Sequence, residues 1–156
     1  MLEFAIPGYG EPQIHHLVLD FNGTLARDGK LIPGVADRLA QLASFVTVHV
    51  ITADTFGSVA EEMESLPCTL AHIPSSGQDK AKNAYVEKLG PETVAAIGNG
   101  RNDHLMLASA ALGMAVIQEE GSATAALLAA DLVIRDILAA LDLLIKPKRL
   151  IATLRN

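Results

Sequence analysis

One cysteine, Cys68, is all that the 156 residues carry, so no internal disulfide and no multi-cysteine metal site can form. Positive charge is scarce as well: 12 Lys and Arg stand against 18 Asp and Glu, a formal net charge of −6. The basic residues are scattered except for a short group near the C-terminus, which argues against nucleic acid or a membrane surface as partner. No window reaches the roughly 20 uninterrupted apolar residues that a bilayer span needs, and the start, MLEFAIPGYGEP, lacks a basic stretch followed by a long apolar run. Neither a span nor a signal peptide is expected, and the cytoplasm is the default compartment. Linkers, low-complexity stretches and internal repeats are missing too, so one domain over residues 1–156 is expected, with 50% hydrophobic residues to fill its core.

What is present is alternation. Short β-branched runs at 14–19, 45–51, 69–73, 94–97, 114–117 and 131–134 are apolar on both faces, as strands of a buried parallel sheet are. Between them lie helix-like segments at 34–43, 55–65, 79–89, 103–110, 122–129 and 137–144, with a last one from about 147. This pattern predicts an α/β fold, a doubly wound, three-layer Rossmann-like core around a parallel sheet.

In such a sheet ligands collect beyond the carboxyl ends of the strands. Past the first strand stand Asp20, Phe21, Asn22, Gly23 and Thr24; past the second, Thr52, Ala53 and Asp54; past the fourth, Gly98, Asn99, Gly100, Arg101, Asn102 and Asp103. Asp20 ends a hydrophobic strand, and Gly23 lets the chain turn back, so the carboxylate is placed to act as a nucleophile. Thr52 offers a hydroxyl and an amide to a phosphoryl oxygen. Lys82 or Lys80, near a helix start, offers positive charge. Asp103 supplies a carboxylate, and Asn99 and Asn102 supply amide carbonyls, a hard oxygen set that suits Mg²⁺ better than zinc. His104, beside Asp103, is the one histidine expected near this site.

These pieces, in this order, resemble the haloacid dehalogenase superfamily. Its first motif is matched by Asp20-Phe21-Asn22-Gly23-Thr24, its second by Thr52, its third by Lys82 with Lys80 as alternative, and its fourth by Gly98-Asn99-Gly100-Arg101-Asn102-Asp103. The wording of the fourth is similar to soluble P-type ATPase-like phosphatases. The resemblance implies a phosphatase in which Asp20 attacks phosphorus and forms an aspartyl-phosphate. It implies Mg²⁺ held by Asp20, the carbonyl of Asn22, Asn99 and Asp103. Thr52, Ala53, Gly23 and Lys80 or Lys82 would hold the transferred group.

Two residues depart from the pattern. Asn22 stands where such phosphatases carry an Asp that shuttles a proton, help commonly worth about 10²- to 10⁴-fold in rate. Asn99 stands where a metal-binding Asp is usual, so weaker Mg²⁺ binding is expected. These changes motivate the alternative of a non-catalytic phosphate- or metal-binding regulatory module. A receiver domain of a response regulator ranks last, since HHLVLDFNG lacks an acidic pair. The 27 residues between Thr24 and Thr52 and the 29 between Thr52 and Lys82 are occupied by core elements, so no cap domain fits. Only ARDGKLIPG is left to form a small hairpin flap. An open site acts on something large or borrows a lid from a second subunit; a phosphorylated small molecule or protein is the expected partner, with a homo-oligomer as one arrangement.

Overall fold

The computed structural model describes residues 1–54 and 58–156. Strands β1 (Leu2–Glu3) and β2 (Gln13–Ile14) form an antiparallel pair ahead of β3 (His16–Asp20). A hairpin of β4 (Ala26–Arg27) and β5 (Lys30–Leu31) leads to helix α1 (Val35–Leu42) and strand β6 (Thr47–Thr52). Next come α2 (Ser58–Met63), β7 (Thr69–His72), α3 (Gln78–Leu89), β8 (Val94–Gly98), α4 (His104–Ser109) and β9 (Leu112–Val116). The chain ends in α5 (Thr124–Ala129), β10 (Leu132–Ile134), α6 (Ile137–Ile145) and α7 (Pro147–Leu154).

Six strands pair in the order β10-β9-β8-β3-β6-β7, every pair parallel. From β3 the chain winds outward through β6 and β7, then crosses back to β8 on the other side of β3. The strand order therefore reverses at β3, which is where such sheets bind ligands. β8 and β9 are buried along their whole length and β3 along all but its first residue, whereas the edge strands β7 and β10 are half-buried.

Alternation along β3 sorts its side chains. Leu17 and Leu19 join one core with Val35, Leu39 and Leu42 of α1, Ile137 and Leu141 of α6, and Leu150 of α7. Val18 joins the other core with Val86 of α3, Met106 and Leu107 of α4, and Ala126 of α5. Helices thus cover both faces, giving the three layers. An eight-residue helix such as α1 is marginal by itself. Its buried aliphatics at i, i+4 and i+7 hold it in place, each contributing roughly 1.5–3 kcal/mol.

The expected hairpin is present, Asp28 and Gly29 (φ 51° and 76°) making the two-residue turn between β4 and β5, but Arg27, Lys30 and Leu31 border a concavity beside α6 and not the pocket at Asp20. Most boundaries shift by one or two residues, and some features depart further from expectation. The run at 14–19 is broken, because the His15 N–H donates to Thr93 O and only His16 onward joins the large sheet. The β1–β2 hairpin is unannounced, since two-residue strands show no periodicity; the buried Phe4 and Ile6 between its strands plug one end of the first core. Of the helix expected at 55–65 the structure gives Ser58–Met63, and residues 55–57 lie outside the described residues.

Candidate active site

Asp20 ends β3 in the same phase as Val18, so its carboxylate faces the layer that contains α3. There it meets Lys82, which sits one turn ahead of the buried Val86 on the inward face of that helix. Lys82 Nζ donates to Asp20 Oδ1 and to Asp103 Oδ1, each across 2.6 Å, and its side chain is 1% exposed. Lys80, two residues earlier, points to solvent on the opposite side of α3 and does not line the pocket.

After Asp20 the chain folds tightly: Thr24, Leu25 and Ala26 all donate backbone N–H groups to Phe21 O. Gly23 sits at φ +77°, a conformation that favours glycine. A Cβ there would stand 2.6 Å from Asn99 Nδ2 and 2.8 Å from Glu120 Oε2. The Thr24 hydroxyl lies 3.2 Å from both Asp20 Oδ2 and Asn99 Oδ1, joining the first and fourth motif loops.

The loop after β8 is closed by Asp103. Its Oδ2 accepts the N–H groups of Asn99 (3.0 Å) and Gly100 (2.8 Å) while Oδ1 takes Lys82. Gly98 makes room for this, since a Cβ there would stand 2.5 Å from the Asp103 carboxylate. Asp103 does not cap α4 with its side chain; it reaches back into the site. Asn102 Nδ2 donates to Gln78 Oε1, and the His104 ring contacts Arg101 O, outside this pocket.

Thr52, buried at the end of β6, accepts the N–H of Asp54, so its own hydroxyl hydrogen stays available to a ligand. Asp54 takes the Val59 N–H and the Ser58 hydroxyl at the start of α2. The resulting pocket, about 410 Å³, is lined by Asp20, Asn22, Thr52, Ala53, Lys82 and Asn99 among others. Gly23, expected to hold the transferred group, is buried and does not line it. Gly100 of the fourth motif also lines it, as do Gln78 and Glu120, which no sequence motif singles out. A larger concavity of about 1030 Å³ runs beside the hairpin, over Leu31, Ile137 and Leu138. The Asp20–Lys82–Asp103 cluster does not reach it.

Two buried carboxylates share one ammonium, so the cluster holds an excess negative charge when all three ionise. Burial, then the charge of Asp103, push Asp20 up to about 7, against the pull of Lys82 and Thr24. Burial pulls Lys82 down, but Asp20 and Asp103 outweigh it and the net shift is upward. The excess charge that attracts a proton to Asp20 also attracts a cation. Hard oxygen donors line the pocket from Asp20, Asn22 and Asn99, and the Thr24 hydroxyl bridges Asn99 and Asp20. That set fits Mg²⁺, which keeps part of its water shell, better than an all-protein cage. No cage of three or more His, Cys, Asp or Glu side chains is present among the described residues.

No protein-family model matches the chain. Over 85 residues, 51% of this chain, it is 45% identical to the uncharacterized protein MJ0073 of Methanocaldococcus jannaschii and covers 91% of that protein. Among solved structures, a protein of Streptomyces avermitilis assigned to the HAD family of hydrolases is 25% identical, with a TM-score of 0.63, over 83% of this chain and 79% of that one. The 3-deoxy-D-manno-octulosonate 8-phosphate phosphatase of Moraxella catarrhalis, solved with magnesium, phosphate and KDO, is 19% identical, with a TM-score of 0.67, over 92% and 95% of the two chains. Architecture and structural kinship agree: the chain has the fold of the haloacid dehalogenase-type hydrolases.

Proposed function

We propose that the chain is a Mg²⁺-dependent phosphatase that passes the phosphoryl group of a phosphorylated small molecule or protein through Asp20. The observation that carries this reading is the single ammonium of Lys82 set between Asp20 and Asp103 at 2.6 Å, 1% exposed, at the floor of an open pocket. A buried lysine bound twice over by carboxylates is costly to assemble unless the arrangement serves the anion that arrives above it.

An Asp20 oxygen forms a bond to phosphorus as the bond to the leaving-group oxygen breaks; water then attacks phosphorus, releasing phosphate and restoring the carboxylate. Lys82 fixes the Asp20 carboxylate and offsets charge on the transferred group. Thr52 donates its free hydroxyl hydrogen to a phosphoryl oxygen. Bound Mg²⁺, held by Asp20, the Asn22 carbonyl and the fourth-motif loop, supplies the charge neutralisation that lets an anionic nucleophile approach an anionic substrate. Asn22 cannot protonate a leaving group, so substrates with activated leaving groups are turned over best. The magnesium and phosphate bound by the Moraxella phosphatase support the reading.

The test is phosphate release from acetyl phosphate and p-nitrophenyl phosphate, with and without Mg²⁺, by wild type and Asp20→Asn. Metal-dependent turnover lost in the variant is expected. Binding of phosphate and Mg²⁺ without any turnover contradicts the reading and favours a regulatory binding module.

A further inference from the structure

Asn99 leaves the fourth motif without its usual carboxylate, yet a carboxylate stands beside it. Glu120 lines the same pocket, and its Oε2 lies 2.8 Å from the point a Cβ on Gly23 would occupy. Asn99 Nδ2 and Oδ1 lie 2.6 and 2.9 Å from that same point. Two side chains from separate loops therefore converge on the turn that follows Asp20.

The loop that carries Glu120 is fastened to the catalytic loops on both sides of it. Upstream, Gln118 Nε2 donates to Gly23 O and Thr24 O, each at 2.8 Å. Downstream, Asn99 Nδ2 donates to Gly121 O at 3.1 Å, and Asn99 O accepts the Ser122 hydroxyl (3.0 Å) and the Ala123 N–H (2.8 Å). An aspartate at 99 could not make the bond to Gly121, because a carboxylate has no hydrogen to donate. The amide at 99 thus ties down the segment that brings in the acid.

An exposed glutamate is ordinarily just a solvated surface group. Glu120 differs from its neighbour Glu119, which is paired with Arg27 of the hairpin. Among the described residues, Glu120 makes no hydrogen bond or ion pair, and it faces the pocket. Asp103 is no substitute as a ligand: it is 0% exposed, and both its oxygens are already engaged. Counting Glu120 raises the excess negative charge of the site from one to two, a match for a divalent cation.

We infer that Glu120 is the relocated metal-site carboxylate, supplying to Mg²⁺, directly or through a bound water, the charge that Asn99 lacks. This rests on the Mg²⁺ site proposed above. It predicts that Asn99 and Glu120 work as a pair, one positioning and one charged.

Calorimetric titration of the full chain with Mg²⁺, without phosphate, tests it. Glu120→Gln should raise the Kd about 10- to 100-fold, the range for losing a group that supports a metal site. Its melting temperature in EDTA should stay that of wild type. Glu119→Gln, which removes the same charge one residue away, should leave the Kd unchanged. A Kd for Glu120→Gln within about twofold of wild type, or equal weakening by both variants, overturns the inference. If Asp20→Asn weakens Mg²⁺ binding while Glu120→Gln does not, the inference about Glu120 alone falls. If wild type binds no Mg²⁺, the phosphatase reading falls with it.

Discussion

The Lys82 ammonium donates to Asp103 Oδ1 across 2.6 Å, where neither group meets solvent: their side chains are 1% and 0% exposed. Asp20, on the other side of Lys82, relies on the same cation. Lys82→Met keeps most of the stem but leaves two buried carboxylates facing each other. We expect a loss of about 3–5 kcal/mol in urea unfolding, the usual cost of breaking a buried pair by removing one partner, together with loss of turnover. A stability within 1 kcal/mol of wild type would count against this arrangement.

Gly98 lies under Asp103 so closely that a Cβ would stand 2.5 Å from the carboxylate. Gly98→Ala must push Asp103 off Lys82 or off the Asn99 and Gly100 N–H groups. The expected cost is about 1–3 kcal/mol of overpacking, with a fall in kcat larger than that of a surface variant such as Lys80→Ala. Chemical denaturation and steady-state kinetics read both.

Asn22 lines the pocket with an exposed side chain that can accept and donate hydrogen bonds but cannot carry a proton between leaving group and water. Asn22→Asp should raise turnover of unactivated phosphate esters, toward the 10²- to 10⁴-fold that acid–base help supplies, and raise acetyl phosphate turnover less. An unchanged ratio between the two substrates would sink this account of position 22.

Behind the site, His16 Nδ1 lies 3.0 Å from His49 Nε2, and His49 Nδ1 lies 2.9 Å from the Tyr85 hydroxyl. This chain pins α3 to the sheet one turn after Lys82. Burial, then the neighbouring His16, lower His49 to about 4, from 6.5. A base whose folded pKa is depressed binds its proton more readily when unfolded. Its contribution to stability is therefore present above about 6.5 and is lost as pH falls toward about 4. Asp20, pushed up to about 7, acts in the opposite sense over the same range, so the His49 contribution is read by comparison: from pH 7.5 to 4.5 the Tm of wild type should fall relative to that of His49→Gln.

The central strands are legible in the sequence because a buried parallel strand is apolar on both faces, as β8 and β9 are. Helical phase also separates Lys82 from Lys80: Val86 is buried four residues after Lys82, which puts Lys82 on the inner face. The β1–β2 hairpin is too short to leave a pattern. Glu120 is illegible for another reason. It follows β9, which borders the site only because the sheet sets β9 beside β8, an adjacency no local pattern encodes. The bonds of Gln118 and Asn99 that fasten its loop join residues 95 and 22 positions apart, respectively.

Asp20 is the phosphoryl acceptor in the reaction proposed for this chain. Incubating the protein with acetyl phosphate and Mg²⁺, reducing with borohydride and mapping peptides by mass spectrometry tests it most directly, because reduction turns an aspartyl-phosphate into homoserine. Homoserine at position 20 in wild type, absent without Mg²⁺ and in Asp20→Asn, is the predicted result. Metal-dependent turnover with an unmodified residue 20, or with the label on another residue, would contradict it.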